Sequence, residues 1–167
     1  MVSVSESIHV DAPVEAVFNF LDDPRNHAEV TPSLAEVRNI QPLENGGKRV
    51  EHTYSMAGIS LDGELIEKRH EDNERMVFDM SGGLSGEITI ETEQTNGGTE
   101  LTYGATYELP GRVLSSVAEP FVRKYNEREL RTALENIKTT IEASDDSWLD
   151  RVSKYERMKR ESQNLSE

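Results

Sequence analysis

The stretch VDAPVEAVFNFLDDPRN, Val10 to Asn26, decides how the rest of the chain is read. It starts at the end of an alternating run, Val2 to Val10. There Val2, Val4, Ile8 and Val10 share one face and serine and histidine take the other, the period of a half-buried strand. Glu6 interrupts the apolar face, which is therefore expected to be partly wet near its centre. Asp11 is placed to cap a helix, and Pro13 suits the first turn, where its missing N–H would have had no partner. Glu15 complements the positive end of the helix dipole. Val14, Val17, Phe18 and Leu21 recur at helical spacing. Asp22-Asp23-Pro24 then stops the helix, because the residue before a proline resists helical geometry. A second short helix is expected over 25–30, ended by Thr31-Pro32. A small helix this close to the N-terminus, followed by strands, is expected to close one end of a curved sheet.

Working outward, the pattern from 34 to 108 is repeatedly that of strands. Runs at 34–41, 48–56, 59–71, 75–80, 85–93 and 99–108 are separated by turn signals: Asn45-Gly46-Gly47, Gly58, Asp72-Asn73, Gly82-Gly83 and Asn96-Gly97-Gly98. Short runs joined by tight turns imply an antiparallel meander. Leu109-Pro110-Gly111 ends it. Helical spacing then persists over 112–143, with an apolar stripe of Val113, Val117, Phe121, Val122, Tyr125, Leu130, Ala133, Leu134, Ile137 and Ile141. Pro120 is expected to kink this helix or to begin its main segment, and the part beyond it is roughly 35 Å long, enough to cross a small sheet. Ser144-Asp145-Asp146 marks a break. The sequence therefore divides into a domain over 1–143 and a helical extension or tail over 144–167. In the tail, Trp148, Leu149, Val152 and Tyr155 have three readings: docking on the domain, a homodimer contact, or a membrane surface. The last ranks lowest, since the apolar face is small and flanked by acids.

Composition narrows the chemistry. The chain has 167 residues and no cysteine, so thiol nucleophiles, disulfides and cysteine metal sites are excluded. No run approaches a transmembrane length, and MVSVSESIHV lacks the basic and apolar regions of a secretory signal, which reads as a soluble, cytoplasmic protein. The formal charge of −14 disfavours nucleic acid and anionic lipid as partners. That acidity fits a surface adapted to high salt, as in a halophilic archaeon, better than one recruiting a basic partner. No zinc-ligand spacing, phosphate-binding loop or Gly-x-Ser-x-Gly elbow occurs, and neither a metal nor a cofactor is called for. The pairs Asp22-Asp23 and Asp145-Asp146 read as caps. Arg123, Lys124, Arg128 and Arg131 read as partners of Glu127, Glu129 and Glu135 rather than as a site for an anionic head group.

The opener SESIHVDAPVEAVFNFLDDPRN and the closing helix EPFVRKYNERELRTALENIKTTIE, with the strands between, resemble the START-like, or SRPBCC, superfamily of polyketide cyclase-like proteins. The chain departs from that pattern at HAEVTPS, where relatives often carry an aromatic and His27 and Val30 stand here. The resemblance implies an α+β helix-grip (START/Bet v 1-like) fold: a seven-stranded curved antiparallel sheet, two short helices after the first strand and a long C-terminal helix over the sheet. It also implies a hydrophobic small-molecule ligand, such as a lipid, quinone or polyketide, between sheet and helix. Alternation then offers Tyr54, Met56, Phe78, Met80, Ile88, Ile90, Tyr103 and Tyr107 from the strands, and helical spacing offers Phe121, Val122, Tyr125 and Leu130. Against this stands the reading of the same residues as filled core. His52 and Tyr54, two apart on one strand face, are the candidates for acid–base chemistry, against an ordinary satisfied histidine. A ligand carrier is the first expectation. A polyketide cyclase or dehydratase-type enzyme and an interaction or assembly module are the alternatives.

Overall fold

The computed structural model describes residues 1–56, 58–111 and 119–143. The order is β1 (Val2–Val10), α1 (Val14–Asp22), α2 (Pro24–Val30), β2 (Leu34–Pro42), β3 (Lys48–Met56), β4 (Ile59–Glu71), β5 (Arg75–Gly82), β6 (Ser85–Thr95), β7 (Gly98–Glu108) and α3 (Glu119–Ala143). The strands form one antiparallel sheet in the order β1-β7-β6-β5-β4-β3-β2. β2 to β7 is the meander that the turn glycines call for. β1 pairs with β7 from Val2↔Tyr107 to Val10↔Thr99, so β1 and β2 are the two edges of the sheet. The pair α1–α2 is the connection that carries the chain from one edge to the other, which is why it lies where it does and closes one end of the curved sheet.

The cap of α1 differs from expectation. Pro13 occupies the N-cap position and no side chain caps the helix. The Asp11 N–H instead donates to Glu142 Oε1 at 2.8 Å, fastening the end of β1 to the end of α3. Asp23 does cap, accepting from the Arg25 N–H at 3.0 Å at the start of α2. The burial of α1 follows its spacing: Val17, Phe18, Phe20 and Leu21 are buried against Ile90 and Leu101 of the sheet and Ile137 and Ile141 of α3. A second apolar cluster gathers Val2, Met56, Leu61, Met80 and Tyr107 with Val122 of α3.

α3 lies across the concave face of the sheet. Its inner stripe is Val122, Asn126, Leu130, Ala133, Leu134, Ile137 and Ile141, all buried except half-buried Leu130. Phe121 and Tyr125, which the sequence placed in the stripe, are 61% and 41% exposed. Each immediately precedes a buried residue, and one residue is about 100° of helical rotation, so neither can share the inner face with its successor. The basic residues also pair differently. Arg123 meets Glu119 at 3.5 Å, and Arg131 reaches across to Glu6 of β1 at 3.0 Å. Glu6 is thus partly wet, as expected, and ties strand to helix. Asn136 Nδ2 donates to the Val30 carbonyl at 3.0 Å, and Lys138 Nζ to the His9 carbonyl at 2.7 Å. Val113, Val117 and the tail residues Asp145, Asp146, Trp148, Leu149, Val152 and Tyr155 lie outside the described residues.

Candidate functional site

Alternation aims Lys48, Val50, His52, Tyr54 and Met56 of β3 inward. Phe78 and Met80 of β5, Ile88 and Ile90 of β6, and Tyr103 and Tyr107 of β7 face them around the curve. With α3 above, they enclose a cavity of about 170 Å³, its walls overwhelmingly apolar. Of the residues proposed from sequence, Tyr54, Met56, Phe78, Met80, Ile88, Ile90, Tyr103, Tyr107 and Leu130 line it. Val122 is buried in the neighbouring cluster instead, and Phe121 points away. Tyr125 stands at the outside, its hydroxyl 3.1 Å from Ser33 Oγ.

Under the first half of α3 the walls become polar. The Tyr54 hydroxyl donates to Glu129 Oε2 at 3.1 Å and lies 3.5 Å from Asn126 Oδ1, while the Ser33 N–H donates to Glu129 Oε1 at 2.9 Å. Burial and the adjacent Glu129 carboxylate both raise the Tyr54 phenol far above its ordinary range, and the same two causes raise Tyr107. Burial pushes Tyr103 up to about 12. All three are therefore neutral hydroxyls at physiological pH. His52 is 6% exposed, and neither of its ring nitrogens has a hydrogen-bond partner. Burial, then the charge of Arg38, lowers its pKa, so the ring is neutral. Gly63 of β4 makes room for it: a Cβ there would stand 3.2 Å from His52 Nε2 and 2.6 Å from the Ser81 carbonyl. His52 and Tyr54 thus share a face and a cavity but are not a hydrogen-bonded pair. The Tyr107 hydroxyl and Asn126 Nδ2 are likewise buried and without a partner.

At the other end, near α1, the polar groups saturate one another. Lys48 Nζ donates to Asp22 Oδ1 at 2.8 Å and to Glu67 Oε1 at 2.7 Å, and it lies 5.2 Å from the centre of the Phe78 ring. Glu67 Oε2 is 2.8 Å from His70 Nδ1, and His70 Nε2 is 2.9 Å from Asp72 Oδ1. Burial opposes charge on His70, but the bond to Glu67 and the charges of Glu67 and Asp22 outweigh it and raise its pKa. Asp22 is therefore not the solvated cap expected from sequence; it is a buried partner of Lys48. Asp22, Glu67 and His70 offer three ligand atoms within 4.8 Å of one another, but the Lys48 ammonium already sits among them.

Beside this cluster His27 lines the cavity, its Nε2 2.9 Å from the Leu21 carbonyl and its ring 6.3 Å from that of Tyr103. Burial, then the Lys48 charge, lowers its pKa to about 4, so a neutral imidazole stands where an aromatic was expected. Sequence reading passed over His27, Lys48, Asn126 and Glu129 as cavity residues. Asn126 was the most accessible of them: it is four residues from both Val122 and Leu130, in the middle of the apolar stripe.

A six-stranded meander with β1 added at its β7 side, closed by two short helices and gripped by one long helix over an apolar cavity, defines the helix-grip class of folds. Residues 1–142 match the family described as polyketide cyclase / dehydrase and lipid transport, and the chain belongs to that family. Solved structures agree in fold. A START superfamily protein from Mycobacterium smegmatis is 15% identical with a TM-score of 0.68, covering 84% of this chain and 97% of its own. A protein from Thermus thermophilus is 20% identical with a TM-score of 0.67, covering 84% and 97%. The di-domain ARO/CYC StfQ of the steffimycin biosynthetic pathway is 12% identical with a TM-score of 0.66; the match covers 84% of this chain and 50% of that one. A search of curated proteins found no match. No helix among the described residues is long and apolar enough to cross a membrane.

Proposed function

We propose that this protein binds a hydrophobic small molecule in the cavity between sheet and α3 and acts as a carrier or sensor. The observation behind this reading is the cavity itself: about 170 Å³ bounded by apolar walls, with a few buried polar atoms left without partners. An apolar cavity of ~150 Å³ is enough to take up benzene, so a ligand the size of one substituted ring fits without moving α3, and a larger one requires the helix to lift. The test is native mass spectrometry of protein purified from its own host. A small mass retained by the wild type and missing from a folded Ala105→Phe variant, which fills the cavity from β7, is the expected result. Protein that stays empty after incubation with lipid, quinone and aromatic extracts would remove the carrier reading.

A second reading, cyclase or dehydratase-type catalysis, is favoured by the number of polar groups around the cavity. The neutral His52 imidazole keeps one nitrogen free to accept a proton, and the Tyr107 hydroxyl, uncommitted in the fold, is a hydrogen-bond donor facing the same space. A ligand released chemically changed by the wild type and unchanged by His52→Phe would favour this reading. The charge of −14 supports a salt-adapted surface; a melting temperature that rises from about 0.1 M to 1 M KCl, as screening shortens from ~10 to ~3 Å, is the check.

A further inference from the structure

The walls of the cavity also specify the charge of what it takes. Among the described residues that line the cavity, Lys48 is the only lysine or arginine, and its ammonium is bound to two carboxylates, those of Asp22 and Glu67. Glu129 also lines the cavity and brings a carboxylate of its own, with both oxygens accepting hydrogen bonds. An anionic ligand would therefore meet a like charge with no spare cation to offset it, and burying an uncompensated charge is among the costliest events in a protein. Three side chains, each more than nine-tenths buried, keep polar atoms without partners at this cavity: both nitrogens of His52, the Tyr107 hydroxyl and Asn126 Nδ2. All three are neutral hydrogen-bonding groups. Tyr54 has a single proton, and the nearer acceptor is Glu129. With the Asn126 amide turned over, Nδ2 would donate to the Tyr54 oxygen and Oδ1 would face the cavity. In either orientation one polar amide atom is presented there.

Resting on the binding function proposed above, we infer that the site selects an uncharged ligand, a single-ring-sized apolar body carrying a hydroxyl and a carbonyl-type oxygen, held by His52, Tyr107 and Asn126, and that it rejects carboxylates. A hydroxyl can donate to one imidazole nitrogen, and a carbonyl oxygen can accept from the Tyr107 O–H. Tyr107 is on β7 and His52 on β3, and both line the cavity beneath α3, so the two oxygens of such a ligand face different strands.

The experiment compares three probes of one ring size by calorimetric titration at neutral pH: para-hydroxyacetophenone, para-hydroxybenzoate and ethylbenzene. Wild type, Tyr107→Phe and Ala105→Phe are compared, each first shown to be folded by its melting transition. The expected result is that the neutral ketone binds at least about thirtyfold more tightly than the carboxylate. Tyr107→Phe should weaken the ketone about fivefold, the scale of one neutral hydrogen bond, and leave ethylbenzene unchanged or tighter. Two outcomes overturn the inference while the cavity reading survives. In one, the carboxylate binds as well as the ketone. In the other, Tyr107→Phe does not distinguish the ketone from ethylbenzene. Failure of all three probes to bind the wild type, or binding undiminished in Ala105→Phe, overturns the binding reading itself and the inference with it.

Discussion

The end of the interior beneath α1 and the part beneath the first half of α3 both hold buried polar side chains, and they treat them in opposite ways. Near α1, Lys48 is 2% exposed and Glu67 fully buried, yet the bonds Asp22–Lys48–Glu67–His70 give each ionised group an opposite charge. With His70 protonated the four formal charges cancel. Near the start of α3, His52, Tyr107 and Asn126 keep polar atoms with no protein partner, and all three are uncharged. A saturated ionic cluster has little left to offer a ligand; it fixes α1 to β3 and β4. Unsaturated neutral groups around open space contribute little to the fold, and their remaining bonding capacity is what a ligand can use. The difference teaches that burial of polar groups alone does not mark a site. What marks it is capacity left over after the fold has been satisfied.

The contrast is most directly broken at Lys48. Lys48→Met keeps the length of the side chain but leaves two buried carboxylates, Asp22 and Glu67, with only His70 to offset them. It should cost about 3–5 kcal/mol in urea unfolding. A loss under about 1 kcal/mol would mean that the cluster is not the staple described here.

Acid comes next in size. His27 titrates at about 4 in the fold, below its ordinary 6.5, so the neutral ring stabilises the protein above about pH 6.5. That contribution is lost as pH falls from there through about 4. Because the residue is only part-buried, its ring facing the cavity, roughly 2 kcal/mol is expected rather than the full value of the displacement. His52, also lowered, acts in the same direction. His70 acts in the opposite one: its raised pKa adds stability fully present below about 6.5 and lost as pH rises through the folded value. Ring-proton NMR separates them. His27 should stay neutral down to about pH 4, while His70 should hold its proton above 6.5. A single shared midpoint near 6.5 would mean that neither burial beside the cavity nor the bond to Glu67 sets these two rings apart.

These effects were unequally legible in the sequence. β1, β3 and β4 end where alternation and turn glycines said they would, because one face of each strand is apolar and a slip of one residue would turn it to water. The same alternation placed Tyr54, Phe78, Ile90 and Tyr103 around the cavity. The ionic cluster was hidden by a bulge. Strict alternation puts Glu67 and His70, three apart, on opposite faces of β4. A register shift between Glu67 and Arg69 turns the strand so that His70 Nδ1 meets Glu67 Oε2. Gly47 belongs to the same device: a Cβ there would lie 2.7 Å from Glu67 Oε2, so the turn before β3 needs glycine to pack on it. Asn126 was hidden differently. A search for apolar residues at helical spacing counts Phe121 and Tyr125 and skips the one polar residue on the buried line.

The smallest stability change is expected at Tyr107, and it is the sharpest test of the contrast. Removing one member of a hydrogen-bonded pair leaves the other buried and unsatisfied, which is where most of the cost of such substitutions arises. The Tyr107 hydroxyl has no protein partner to strand. Tyr107→Phe keeps the ring, packed with Val2, Met80 and Val122, and removes only a buried hydroxyl that the fold does not use. Its unfolding free energy should therefore stay within about 0.5 kcal/mol of wild type, or rise, even as its affinity for an oxygen-bearing ligand falls. A destabilisation of about 2 kcal/mol or more would show that the hydroxyl is satisfied in solution, for example by an ordered water bonded in turn to the walls. The polar groups under α3 would then serve the fold no less than those under α1, and the distinction between the two ends would vanish.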